Sequence, residues 1–265
     1  MLKIGQLIAP AVLLGMCVAA QGQDARQLVE QAVRTELAAD AADHSCWIYY
    51  DVDRKPDSSV KQWVAETHSG TLDRVLDKNG QRVAKAEARS QMESFARDTA
   101  ARAKQRTSGE HDDKQAAEML KTLPQAFLWS ETGTEDGDVV LHFKPNPQFH
   151  PPTYQSRVFA AMEGDMKVDR SQHRIVSLKG RMIHDVRFFG GLLGYLKAGG
   201  SFDVERRETG QGEWQITETH VHIQGHALLF KNISEEEDEE KSKFKPLPEN
   251  ISLAEAEREL LAQTS

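Results

Sequence analysis

Between Met162 and Lys231 polar and apolar residues alternate in short runs broken by glycine. Residues two apart on a strand share a face, so alternation is the signature of a half-buried strand. In Arg181–Phe188, Met182, His184, Val186 and Phe188 share one face, and Arg181, Ile183, Asp185 and Arg187 the other. Turn residues separate the runs at Asp169–Gln172, Lys179–Gly180, Gly190–Gly191, Gly199–Gly200, Gly210–Gly212 and Gly225. This spacing predicts an antiparallel meander rather than βαβ units. A sheet this long must curl or close to limit its exposed edges. Upstream, Trp47–Asp53, Val60–Thr67 and Leu72–Leu76 read as strands with a turn at Asn79-Gly80, and Ala126–Thr132 pairs with Asp138–Lys144 as a hairpin.

A helical period replaces alternation elsewhere. Leu28, Val29, Ala32, Val33 and Leu37 form an apolar stripe, with Glu36 the exception, and predict an amphipathic helix over about Ala25–Ala39. Arg82–Lys121 is rich in Ala, Glu, Lys, Arg and Gln and predicts two helices, about Val83–Gln105 and Asp112–Thr122, hinged at Thr107-Ser108-Gly109 and ended by Pro124. The apolar content of the first is thin, which suits either a mobile cover or a solvated spacer. A further helical stretch lies at Leu253–Leu261. The acidic run Ser234–Glu240 repels itself and is expected as a solvated loop or strand edge.

The first residues read as a secretory leader: Lys3, then an apolar run Ile8–Val18, then small residues with cleavage expected between Ala20 and Gly22. A competing lipoprotein reading places the anchor at Cys17, but Met16 stands where that signal calls for a small residue. The organisation is thus a leader at 1–22, one domain at 23–246 with a helical insert at about 82–122, and a tail at 247–265. The expected location is periplasmic or secreted, with no transmembrane span in the mature chain. A net charge of −8 repels phosphate backbones and argues against nucleic acid as a partner.

Phe188-Phe189-Gly190-Gly191-Leu192-Leu193-Gly194-Tyr195-Leu196 breaks the polar rhythm. It fits a buried crossover, or an apolar loop at the mouth of a hydrophobic cavity. Around it the chain resembles LolA-like proteins, the outer-membrane lipoprotein-sorting and carrier family, in its uncharacterised periplasmic branch. The residues that carry the likeness are Gly164-x-x-x-Val168-Asp169, Arg174-Ile175-Val176-x-Leu178, Phe188-x-Gly190-Gly191-Leu192-Leu193, Gly212-x-Trp214 and Ala227-Leu228-Leu229-Phe230-Lys231. The likeness covers about residues 120–245. The resemblance implies an α+β fold: a strongly curved antiparallel sheet of about eleven strands, an incomplete β-barrel, with helices covering its concave face. It also implies acyl chains of a lipid or lipoprotein as cargo. The residues that handle lipoprotein in the carrier itself have no counterpart that can be placed on this chain.

Candidate chemistry is sparse. His220-x-His222 puts two imidazoles on one face of a strand, away from Thr219, Val221 and Ile223, and zinc wants three or four ligands. Asp51-x-Asp53 is a same-face carboxylate pair beside Arg54 and Lys55, which predicts surface ion pairing. Cys46, next to Trp47 and Ile48, reads as a small buried apolar residue. No nucleophile elbow, phosphate loop or dinucleotide fingerprint occurs. The expectation is therefore a non-enzymatic carrier or binder without a cofactor. Its hydrophobic cavity would be lined by Trp47, Trp63, Trp129, Phe188, Phe189, Leu192, Leu193 and Trp214. The alternatives are an envelope protein-interaction module with a filled core, and a metal-dependent enzyme using the strand histidines.

Overall fold

The structure, a computed structural model, describes residues 13–188, 194–210, 212–227 and 236–264. The protein is α+β. Eleven antiparallel strands form one sheet, and its two end strands do not pair with each other.

The first helix, α1 (Leu13–Ala42), continues through the helix expected from Ala25. The expected leader lies mostly outside the described residues. Strands β1 (Cys46–Lys55), β2 (Ser58–Ala65), β3 (Leu72–Lys78) and β4 (Gln81–Arg82) follow as a meander. Asn79 and Gly80 both adopt positive φ between β3 and β4, the conformation a tight two-residue hairpin needs. Helices α2 (Lys85–Arg97) and α3 (Thr99–Ala126) come next. The break between them falls at Asp98, not at the expected Thr107–Gly109 hinge. Asp98 is extended, and its carboxylate accepts from the Ala101 N–H at 2.9 Å, an N-cap that starts α3. Gly109 is accommodated inside α3, and Pro124 sits within its last turn.

Strands β5 (Phe127–Glu135) and β6 (Asp138–Pro145) form the expected hairpin across Asp136-Gly137. A 3₁₀ turn (Gln155–Ala161) leads to β7 (Met162–Val168) and β8 (Ile175–Met182). Three short strands, β9 (Val186–Phe188), β10 (Gly194–Leu196) and β13 (Gly225–Ala227), make a separate small sheet. Strands β11 (Ser201–Gly210), β12 (Glu213–His222) and β14 (Glu236–Leu247) complete the large one, and α4 (Leu253–Ala262) closes the chain. The strand order is β4-β3-β2-β1-β14-β12-β11-β8-β7-β6-β5.

The acidic stretch therefore corrects its expectation. From Glu236 onward it is β14, paired on both sides in the middle of the sheet. Alternation splits its charges between two faces, and each face supplies cations. On one face Glu240 meets Arg54 at 2.7 Å and Asp238 meets His220 at 2.7 Å. On the other, Glu237 meets Lys55 at 2.7 Å and Glu239 meets Lys241 at 3.1 Å.

Register shows which residues share a face. Directly paired residues run Leu141–Met166–Leu178–Val204–Thr219–Glu239–Asp53 from β6 to β1. We call this the inner face. Helices α1 and α3 pack on it at the β5–β8 end, where Val29, Ala32 and Val33 meet Trp129, Leu141, Phe143 and Met166. Close approach is needed there: a Cβ on Gly180 would lie 2.5 Å from the Phe202 ring, and one on Gly164 would strike the β8 backbone. Helices α2 and α4 pack on the opposite face, over Ile48, Trp63 and Leu72. The expectation that all helices cover one face is thus corrected. Cys46 and Ile48 alternate with Trp47 and Tyr49, so β1 buries apolar side chains on both sides and needs a helix layer on the side away from α1.

Candidate functional site

The expected cavity residues do not form one lining. Trp129 is on the inner face but packed against Phe127 and Phe143, with ring centroids 5.7 and 5.4 Å apart. Trp63 is on the opposite face beneath α4, and its indole N–H donates to the Thr264 carbonyl at 3.1 Å. Trp47 is on the inner face, where it joins Tyr49, Val64 and Phe244 in a small aromatic group. Trp214 sits half-buried at the inner-face rim, its indole N–H donating to Gln172 at 3.2 Å and its ring 5.8 Å from the Arg174 guanidinium. Phe188 ends β9 in the small sheet. Phe189, Leu192 and Leu193 lie outside the described residues.

Between the helix-covered end and the aromatic group lie β11, β12 and β14. No described helix packs broadly on these three strands. The inner face of β11 and β12 carries Phe202, which packs against the α1-side core, Val204 and Thr219, all half-buried, and Val221, while β14 presents Glu237, Glu239 and Lys241 there. This strip is the floor of the candidate site. One wall is the α1 end, with Trp214 at its rim. The other is Trp47, Tyr49 and Phe244, where Tyr49 and Phe244 stack at 5.0 Å.

Two carboxylates mark the two walls. Glu36 explains the break in the α1 stripe: it is 6 % exposed and fully partnered. Arg174 donates to both of its oxygens at 3.2 and 3.0 Å, the Ile175 N–H donates at 2.7 Å, and Arg206 donates as well. Burial works to raise its pKa, but the Arg174 and Arg206 bonds outweigh it and hold the group below the usual carboxylate range.

Asp51 stands in the opposite condition. It is 3 % exposed, so the surface ion pair expected of Asp51 is corrected. One oxygen accepts from the Gln62 amide at 2.9 Å, and the other has no hydrogen-bond partner. Burial pushes its pKa up to about 6. Asp53 does make the expected ion pair, with Lys55 at 2.7 Å. Nearby, Asp73, exposed on β3, is also pushed up to about 6, by desolvation and by the charge of Asp51. Glu66 is raised by burial, and the Tyr49 hydroxyl donates to it. Tyr49 is itself held strongly protonated, first by burial and then by the charges of Glu66, Asp51, Glu239 and Asp73.

A cavity of about 460 Å³ opens where β14 parts from β12 beyond the Glu218–Glu240 pair. It reaches Lys241 and Phe244, the near edge of the aromatic wall.

The histidines are placed as expected on the face away from Val221. His220 and His222 share Asp238, at 2.7 and 3.3 Å, and the bond to Asp238 raises the His220 pKa. Among the described residues no three His, Cys, Asp or Glu side chains are grouped to hold a metal ion. Cys46 is a buried free thiol whose S–H points at the Glu249 carbonyl, 3.7 Å away. No helix among the described residues is long and apolar enough to cross a membrane. No protein-family model matches the chain, and no curated protein matches it in sequence.

Proposed function

We propose that the protein is an exported, non-enzymatic carrier or binder of a lipid or acylated protein in the cell envelope, with the eleven-stranded sheet serving as the wall of an incomplete, LolA-like β-barrel. One observation carries the reading. The inner face of β11 and β12 presents half-buried Phe202 and Val204 between two walls, with no described helix seated broadly on it. An acyl chain laid there gains about 0.8 kcal/mol for each CH₂ removed from water. Six or seven methylenes on such a floor supply about 5 kcal/mol, enough for reversible carriage. The leader-like first residues and the LolA-like motifs support the envelope setting.

The filled-core alternative draws support from Trp129 and Trp63, which are packed into separate clusters. Titration with a fluorescent long-chain acyl probe separates the two. The carrier reading expects saturable binding that Val204→Arg weakens at least about tenfold, because a charge on the floor must be desolvated. Absence of saturable binding, or binding that ignores Val204→Arg, leaves the interaction module as the better reading.

A further inference from the structure

The aromatic wall ends in a group of carboxylates that the carrier reading does not use. Six acidic side chains lie on this part of the inner face: Asp51, Asp53, Glu66, Asp73, Glu237 and Glu239. Lys55 is taken up by Asp53 and Glu237, and Lys241 by Glu239. Among the described residues no Lys or Arg makes an ion pair with Asp51, Glu66 or Asp73. A buried carboxylate oxygen without a donor is costly, and Asp51 keeps one while more than nine-tenths buried. Beside it Tyr49, Trp47 and Phe244 present ring faces and edges. Carboxylates joined to aromatic faces are the surroundings that favour a desolvated cation. The protein makes one such contact itself: the Lys241 ammonium lies 5.8 Å from the Tyr49 ring centroid.

We propose that the inner-face patch of Tyr49, Asp51, Glu66 and Asp73 binds the ammonium head of a cationic amphiphile whose chain crosses β14 to run along Phe202 and Val204. The proposal rests on the carrier reading for the chain and stands apart from it for the head. The head supplies a positive charge beside Asp51, and the aromatic wall shields it from water. The groups that face Asp51 from the packed elements are Gln62 on β2, Lys241 and Glu239 on β14, and Asp53 on its own strand. Lys241 opposes an incoming cation and limits the site to one charge. Protonation of Asp51 and Asp73 near pH 6 removes two of the attracting charges, so the preference for a cation fades as the pH falls through that range.

The test compares dodecyltrimethylammonium, dodecyl sulfate and tetramethylammonium, each below its micelle concentration, by calorimetry on the full chain and on the Asp51→Asn and Asp73→Asn variants. Asp73 is exposed on its strand, so Asp73→Asn tests the site even where Asp51→Asn fails to fold. The expected result is about tenfold tighter binding of the cationic chain than of the anionic one at pH 8. That preference should shrink below about threefold in either variant and in the unaltered chain at pH 5. Equal binding of the two chains overturns the cation site and leaves the carrier reading standing. Binding of tetramethylammonium with no gain from a chain keeps the cation site and overturns the carrier. A preference that survives both variants overturns the assignment to these residues, and no binding of any probe overturns both readings.

Discussion

Glu36 and Asp51 are both almost fully buried carboxylates on the inner face, yet the protein treats them in opposite ways. Glu36, between α1 and the strands, is surrounded by two guanidinium groups and a backbone N–H, and its charge is favoured. Asp51, on β1 with only Gln62 to donate to it, has its charge disfavoured. Partner supply decides the sign, because similar burial would raise both pKa values alone. The α1 end is therefore a finished structural joint, and the β1 end retains an unmet electrostatic demand. Such demand is what a binding site stores and a packing site removes.

The comparison breaks most visibly at its strong member. Glu36→Ala leaves the Arg174 and Arg206 guanidinium groups without their shared carboxylate, with an expected loss of about 3–5 kcal/mol in denaturant unfolding. Trp129→Ala, in the same layer, should cost a similar amount by opening a void among Phe127, Phe143 and Phe159. Trp214→Ala at the rim should cost less than about 1 kcal/mol, and parity between the two tryptophans would remove the distinction between packed wall and accessible rim.

Asp51→Asn should have the opposite sign. A carboxyl raised from 3.8 to about 6 penalises folding fully above pH 6, and the penalty disappears below the unfolded value. The variant should therefore be more stable than the natural chain by about 1–3 kcal/mol at pH 8 and equal to it near pH 4. Glu36 behaves inversely: its contribution is present above its unfolded value of 4.5 and is lost as the pH falls through the lower folded value. A small effect also belongs to the helical insert, where Asp98→Ala should remove the α3 cap at about 1 kcal/mol.

Much of the fold is legible in the chain because local signals agree with it. The Asn79-Gly80 and Asp136-Gly137 turns, the α1 stripe and the strand alternation around Val221 all follow from near neighbours. What escapes such reading is set by partners far along the chain. The acidic run looks self-repelling until Arg54, Lys55 and His220 arrive from other strands and make it the central β14. Asp51 looks like a surface residue because Arg54 and Lys55 follow it, but alternation turns Arg54 to the other face and Lys55 is spent on Asp53 and Glu237. The tryptophans look alike in sequence, while the parity of their strand positions sends Trp63 to the face opposite Trp47. Asp98-Thr99 is an N-cap pair legible in the sequence, and it outranks Gly109 as a break because a lone glycine costs a helix only about 1 kcal/mol.

The central claim is that the strip of Phe202, Val204 and Thr219 between the two walls holds an acyl chain. Gently purified protein, sprayed natively and then extracted with organic solvent, gives the most direct reading by mass spectrometry. The account predicts a mass above that of the polypeptide, carried by an amphiphile recovered in the extract and missing from the Val204→Arg variant. A bare polypeptide mass, with an extract holding no amphiphile from either protein, would contradict it.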